Sequence, residues 1–124
     1  MRVLLDTHLL LWALAQPSKL SAIARRQIIA ADVYVSAASI WEISIKVLIG
    51  KLKADPNGIL AAIAPAGFDL LAITGEHAAK VAELPPLHKD PFDRMLIAQA
   101  FLEPMTLFTN DATLGAYGSF VRIV

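Results

Sequence analysis

The sequence predicts an α/β fold, a three-layer α/β/α sandwich built on a central, mostly parallel sheet of four to five strands. Short apolar runs alternate with helix-length segments along the whole chain, which is typical of a parallel sheet covered on both faces. No internal repeat, low-complexity tract or linker divides the 124 residues, a length that suits one domain. We therefore expect a single domain spanning residues 1–124.

The strands are predicted from short apolar runs bounded by polar or turn residues. The first run ends abruptly at Asp6, and the last closes the chain. The expected strands are Val3–Leu5, Val33–Val35, Phe68–Ile73, Met105–Phe108 and Phe120–Val124. Crossovers between parallel strands are right-handed, so the carboxyl ends of these strands should all lie at one edge of the sheet.

The helices are predicted from apolar periodicity and from residues that favour helix ends. Ser, Thr and Asp begin most of these segments, as helix caps do, and Pro or Gly ends several of them. The expected helices are Thr7–Ala15, Ser21 to about Ala31, Ser36 or Ser39 to Gly50, one opening at Asp55–Pro56, Thr74–Ala82, Asp90–Pro91 to about Glu103, and a short one at Ala112–Leu114. Residues 84–87 (Leu-Pro-Pro-Leu) are expected to form a loop.

Composition excludes several classes of protein. Eleven basic residues balance eleven acidic ones, which argues against a nonspecific polybasic nucleic-acid binder. The absence of cysteine excludes a disulfide scaffold and a thiolate metal site, and it suits the reducing cytoplasm. With 56% hydrophobic residues the chain should not be disordered, yet no run approaches the roughly 20 apolar residues of a membrane span.

Carboxylates follow two of the predicted strands. Asp6 comes directly after the first strand and Asp111 follows the fourth, so both should lie at the carboxyl edge of the sheet, where α/β proteins bind ligands. Glu42 and Asp93, on helices, can face the same edge. Carboxylates gathered in one cleft repel each other unless a cation is present, and hard oxygen ligands suit Mg²⁺ or Mn²⁺. The residues thus suggest metal-dependent phosphodiester hydrolysis.

Each acidic residue also has a structural interpretation. Asp6, Asp90 and Asp111 could cap helices, and for Asp90 this is the favoured role. Glu42 and Lys46 are four residues apart and could form a surface ion pair. The other notable side chains are open to two interpretations. His8 could line the cleft or pack in the core. Trp12 and Trp41 fit a core or a subunit interface. The basic side chains could hold phosphates or be solvated; these are Lys46, Lys51, Lys53, Lys89 and Arg94.

Four blocks of sequence, in order, resemble the PIN-domain family, and more closely the VapC toxins of bacterial VapBC toxin–antitoxin pairs. The blocks are Val3–His8, Ser39–Lys46, Asp90–Ala100 and Thr109–Asp111. The resemblance implies a Mg²⁺- or Mn²⁺-dependent ribonuclease with a PIN-like fold, an RNA substrate, a cognate VapB-type antitoxin and a homodimer. By position, Asp6, Glu42, Asp93 and Asp111 match the family's metal-binding acids, while Thr109, Lys46 and Arg94 match supporting positions.

Other functions are considered from the same residues. A receiver domain would have paired acids after the first strand and a lysine after the last, but Thr7-His8 follow Asp6 and the final strand carries no lysine. A phosphatase with an aspartate nucleophile would need a second aspartate at position 8, which is histidine. A PIN-fold nuclease without an antitoxin, and a non-catalytic binding module of this fold, remain alternatives.

Overall fold

A computed structural model describes all residues from 1 to 124. Five parallel strands form one sheet: β1 (Arg2–Leu5), β2 (Asp32–Ser36), β3 (Asp69–Leu71), β4 (Thr106–Thr109) and β5 (Val121–Ile123). Six α-helices surround it: α1 (Thr7–Ala15), α2 (Ala22–Ala30), α3 (Ala37–Leu48), α4 (Pro56–Ile63), α5 (Gly75–Lys80) and α6 (Pro91–Leu102). Short 3₁₀ turns lie at Pro17–Lys19, Val81–Glu83 and Ala112–Tyr117. None of the helices is both long and apolar enough to cross a lipid bilayer.

The strand order is β3-β2-β1-β4-β5, which confirms the predicted parallel sheet. The chain builds β1, β2 and β3 outward in one direction and then returns to place β4 on the opposite side of β1. The crevice between the carboxyl ends of β1 and β4 is therefore the point where strand order reverses, and ligands of open α/β sheets bind at such a point. Asp6 and Asp111 follow these two strands.

Alternating residues of the strands bury opposite faces of the sheet. Val3 and Leu5 pack with helices α1 and α2 on one face, where Leu9 and Ile28 are also buried. Leu4 packs on the other face with α6 and with side chains from β4 and β5. Helices thus cover both faces, so the strands can be apolar throughout and the three-layer prediction is confirmed.

Helix α3 follows β2 and packs against α1, α4 and α6 at the carboxyl edge. Its cap is Ser36, whose hydroxyl accepts a hydrogen bond from the Ala38 amide at 3.0 Å, and Ser39 is instead inside the helix. Ser39 accepts a hydrogen bond from the Thr7 hydroxyl at 2.9 Å, which ties α3 to the first turn of α1. This bond fixes α3 next to the end of β1.

Two segments differ from the expected helices. The expected helix from Thr74 ends at Lys80 and continues as a 3₁₀ turn, and residues 112–117 form a 3₁₀ turn rather than an α-helix. The second turn ends at Gly118, whose φ of +148° is accessible only to glycine without strain. A Cβ at that position would lie 3.1 Å from the Phe120 ring.

Candidate functional site

A polar cavity of about 350 Å³ opens at the carboxyl edge of the sheet, and only one of its ten lining residues is hydrophobic. It is lined by all four acids that were predicted as ligands from the sequence, and these come from four separate segments of the chain. A fifth acidic residue lines it as well. The acidic residues lining it are Asp6, Glu42, Asp90, Asp93 and Asp111. Five carboxylates in one cavity, with Lys46 as the only lysine or arginine, create a strongly negative potential.

Asp6 is buried between β1 and β4 and makes hydrogen bonds with both of its oxygens. Oδ1 accepts the Leu9 amide at 2.8 Å and caps α1, while Oδ2 accepts the Thr109 hydroxyl. Thr109 Oγ1 in turn accepts the Asp111 amide at 3.0 Å. Burial raises the pKa of Asp6, although these hydrogen bonds act in the opposite direction. Thr109 therefore orients one carboxylate of the cavity and positions the backbone of another.

Glu42 is the most unusual carboxylate of the cavity because it is only 5% exposed and only one of its two oxygens has a hydrogen-bond partner. Its Oε2 lies 2.7 Å from Lys46 Nζ, one helical turn further along α3. Its Oε1 is buried and has no hydrogen-bond partner. A buried carboxylate oxygen without a partner is costly, so this atom requires a ligand that the protein itself does not supply.

Asp90 and Asp93 lie at the start of α6. Asp90 caps the helix, because its Oδ1 accepts the amides of Phe92 and Asp93 at 2.8 and 2.9 Å. The pKa of Asp93 is raised to about 7, mainly because the carboxyl group is partly buried and next because Asp90 is near. Glu42 and Asp6 raise it further, whereas His88 lowers it. The pKa of Asp93 thus responds to the accumulated negative charge of the cavity.

Asp111 caps the 3₁₀ turn that follows β4 and is the most exposed of the predicted acids. Its Oδ1 accepts the Thr113 amide at 3.0 Å and the Thr113 hydroxyl at 2.6 Å. The Thr113 hydroxyl is the main reason why the pKa of Asp111 is lowered. Asp111 thus contributes a carboxylate whose pKa is lowered, whereas the pKa values of Asp6 and Asp93 are raised.

His88 is a site residue that the sequence did not reveal. Its Nε2 lies 3.4 Å from Asp111 Oδ2 and 3.7 Å from Asp93 Oδ2, and one ligand atom from each of these three residues fits within 4.8 Å. The histidines show no ligand spacing in the sequence, and His88 lies in a loop without periodicity. Its position two residues before the α6 cap was the only local signal.

The two basic residues proposed as supporting groups have different positions. Lys46 lines the cavity, where its hydrogen bond to Glu42 is the main reason for its raised pKa. Arg94 does not line the cavity. Its guanidinium donates to the carbonyls of Val81, Leu84 and Pro85 and to the Tyr117 hydroxyl, because α6 directs it toward the preceding loop and away from Asp93.

The donor set fits a hard divalent cation. All predicted ligands offer carboxylate oxygens, the cavity contains no thiol, and the buried Glu42 Oε1 lacks a partner. A cation among these carboxylates would offset their repulsion and complete the coordination of Glu42. The cavity therefore has the charge and the donor atoms that Mg²⁺ or Mn²⁺ requires.

The fold and the cavity define a parallel α/β protein with a carboxylate site where strand order reverses. The family model described as "PIN domain" matches residues 3–118, and the chain belongs to the PIN-domain family. No curated protein sequence matches the chain.

The fold is also found in solved structures of toxin–antitoxin complexes. The chain is similar to a chain in VapBC2 from Rickettsia felis bound to promoter DNA, with a TM-score of 0.72, 17% identity, and coverage of 100% of this chain and 98% of that chain. DNA-bound VapBC from Salmonella typhimurium gives a TM-score of 0.69, 16% identity, and coverage of 100% and 97%. A toxin–antitoxin complex from Klebsiella pneumoniae gives 0.67, 18%, and coverage of 97% and 95%.

Proposed function

We propose that this protein is a Mg²⁺- or Mn²⁺-dependent ribonuclease that hydrolyses phosphodiester bonds and acts as the toxin of a toxin–antitoxin pair. The observation that carries this proposal is the convergence of Asp6, Glu42, Asp93 and Asp111 on one cavity. Membership of the PIN-domain family supports it, since PIN domains are generally nucleases. The buried, unpartnered oxygen of Glu42 supports the need for a cation.

In this proposal Asp6, Glu42, Asp93 and Asp111 hold the metal. When bound, the ion would make a water more acidic and stabilise negative charge on the phosphate. The Thr109 hydroxyl keeps Asp6 in orientation, and Asp90 fixes the first turn of α6 beneath Asp93. Lys46 holds Glu42 and places a positive charge beside the carboxylates, where a phosphate would enter. No side-chain nucleophile is needed.

The proposal is tested by incubating the purified protein with total RNA and mapping new ends. Cleavage should require Mn²⁺ or Mg²⁺ and stop with EDTA. Asp6→Asn should reduce cleavage about 100-fold or more, since even the partners behind metal ligands contribute 10- to 100-fold. The asparagine Oδ1 can still accept the Leu9 amide and its Nδ2 can donate to Thr109 Oγ1, so the unfolding temperature in EDTA should be unchanged or higher.

Asp69→Asn is the matched control, since Asp69 is an exposed aspartate on the edge strand β3. It should cleave like the wild type. Full activity of a folded Asp6→Asn protein would remove Asp6 from the mechanism. Stable metal binding without any cleavage would favour a binding module of the same fold.

The toxin role implies a cognate antitoxin of the VapB type, and both would act in the cytoplasm. The support is the fold, which the chain shares with solved VapBC complexes. Expression of the wild type alone should stop growth, and expression of Asp6→Asn should not. Co-expression with the product of an adjacent small gene should restore growth and yield a stable complex. Growth unaffected by the wild-type protein would favour a PIN-fold nuclease without an antitoxin.

We also propose a homodimer. Trp41 is 59% exposed and packs edge-on against Phe92 at 5.2 Å, beside a small apolar depression between α3 and α6. An exposed tryptophan packed on a half-buried phenylalanine is suited to a protein contact. Trp41→Glu should convert a dimer to a monomer in sedimentation experiments; a wild-type monomer at all concentrations would contradict the proposal.

A further inference from the structure

Two further cavities continue from the acidic cavity along α1. A passage of about 300 Å³ shares Lys46 with the acidic cavity and is also lined by Lys51. Beyond it, a groove of about 550 Å³ lies between α1 and α4. His8 lines all three cavities, and Trp12 lines both the acidic cavity and the groove. The three cavities therefore adjoin one another along α1, and we call this row of cavities the α1 path.

The charge of the α1 path changes sign along its length. The acidic cavity contains five carboxylates, whereas the passage contains Lys46 and Lys51 and no acidic residue. The groove adds Lys19 and Lys53, and its single acid, Asp55, is engaged in capping α4. A cation could occupy the acidic end, and the lysine-rich end attracts phosphates.

The groove also offers an aromatic and apolar surface. Trp12 lies one helical turn after His8 on α1, with ring centroids 6.3 Å apart and an interplanar angle of 49°. Leu11, Leu52 and Ile59 complete the walls. Proteins bind unpaired bases by stacking them on aromatic side chains, with basic groups along the backbone. The volume of the groove lies within the range of small-molecule sites.

From this combination we propose that the groove is a nucleotide subsite, which binds the base next to the cleaved phosphate against Trp12 while Lys51 and Lys53 hold the flanking phosphates. The inference rests on the proposed ribonuclease function, which supplies the phosphate at the acidic end. A base stacked inside a duplex cannot enter the groove. The subsite therefore selects RNA whose bases are unpaired beside the cleavage position.

The experiment measures binding separately from cleavage. The chain has two tryptophans, so Trp41→Phe leaves Trp12 as the only one, and Asp6→Asn prevents cleavage. A single-stranded oligoribonucleotide of about eight nucleotides is titrated into this double variant, and tryptophan fluorescence is recorded. Stacking should quench Trp12 fluorescence. The same strand annealed to its complement should bind more weakly and leave the fluorescence unchanged.

Further variants in the Asp6→Asn protein test each part of the subsite by anisotropy of a labelled strand. Trp12→Ala should weaken single-strand binding about tenfold, and Trp12→Phe should retain most of the affinity. Replacing Lys51 and Lys53 with alanine should lower the slope of log affinity against log salt by roughly 1 to 1.5. Arg26→Ala with Lys80→Ala is the charge-matched control, because neither residue lines the α1 path.

Unchanged RNA affinity in either Trp12→Ala or the Lys51/Lys53 variant would overturn the subsite as proposed and leave the groove to a protein segment. Equal quenching by duplex and single strand would also overturn it. Failure of the ribonuclease proposal has a different signature, namely no cleavage by the wild type with either metal. A wild type that cleaves RNA while Trp12→Ala binds normally contradicts the subsite alone.

Discussion

The imidazole Nε2 of His88 lies 3.4 Å from Asp111 Oδ2, although the two residues come from a loop before α6 and a turn after β4. The other ring nitrogen, Nδ1, accepts the Asp90 amide at 3.2 Å. A neutral imidazole with an acceptor at Nδ1 carries its proton on Nε2. His88 therefore directs its Nε2 proton toward Asp111 Oδ2, with Asp93 Oδ2 farther away at 3.7 Å, and in this conformation Nε2 has no lone pair for a metal.

His88→Ala should thus lower the stability of the metal-free protein by about 1 kcal/mol without weakening Mn²⁺ binding. Unfolding in EDTA measures the first effect and calorimetric titration with Mn²⁺ the second. His88→Gln, which restores a donor, should recover the stability. A loss of Mn²⁺ affinity of about tenfold or more in both variants would instead identify His88 as a ligand.

Thr109→Val tests whether the Thr109 hydroxyl stabilises and orients the Asp6 carboxylate. Valine has nearly the same shape but lacks the hydroxyl, so Asp6 Oδ2 loses a donor and the Asp111 amide loses its acceptor. We expect a loss of about 1–3 kcal/mol in the free energy of unfolding and about tenfold slower cleavage. Denaturant titration and initial rates measure the two effects. Thr109→Ser keeps both hydrogen bonds and should behave like the wild type; an equal loss in both variants would contradict this role.

The metal-free protein should become less stable as pH rises from about 4 to 7. The pKa of Asp93 is about 7 in the folded state and near the ordinary value of 3.8 in the unfolded state, so between these values the folded protein binds more protons. Under this condition the free energy of unfolding falls with increasing pH, and because solvent screens the partly exposed Asp93 carboxyl the change from this group should be about 2 kcal/mol. The raised pKa of Asp6 acts in the same direction.

Urea unfolding in EDTA at several pH values measures this dependence. Asp93→Asn should flatten the profile and be the more stable protein near pH 8, whereas Asp69→Asn should follow the wild type. Added Mn²⁺ should restore stability to the wild type at high pH, where the carboxylates are ionised. A wild-type profile as flat as that of Asp93→Asn would refute the assigned pKa.

Arg94→Lys should destabilise the fold because a single ammonium group cannot replace the planar guanidinium. The guanidinium holds the carbonyls of Val81, Leu84 and Pro85, so the variant leaves acceptors of this loop without donors. We expect a loss of about 2 kcal/mol and faster hydrogen exchange in residues 81–90. Arg26→Lys, at an exposed position of α2, should have no effect. Unchanged hydrogen exchange of residues 81–90 in Arg94→Lys would contradict this stabilising role of Arg94.

The elements and the acidic cavity were predictable because local signals coincide. Apolar runs end at polar residues that are also caps, and the caps at Asp6, Asp90 and Asp111 all formed as expected. Helix capping and a place in the acidic cavity were therefore not mutually exclusive interpretations of these three aspartates. One carboxylate oxygen can cap a helix while the residue still lines the cavity, because helix starts and strand ends meet at one edge of the sheet.

Features that depend on long-range geometry were not predictable. Nothing local in the sequence determines that β4 pairs with β1, and this pairing brings Thr109 to Asp6. The position of His88 and the orientation of Arg94 depend on an irregular loop without periodicity. For the same reason Trp12 could be interpreted only as core or interface. Its position between two cavities depends on how α1 lies relative to α4, which the sequence does not show.

The pairing of β1 with β4 also determines when the acidic cavity can form during synthesis of the chain. Strands β1 and β2 can associate once the first forty or so residues have left the ribosome, but β1 can meet β4 only when about seventy more have been translated. Closing so long a loop is slow, and Asp111 is supplied only after it closes. A nascent chain therefore carries an incomplete set of these acids until β4 and Asp111 have been made, so the acidic cavity cannot assemble from the first half of these residues alone.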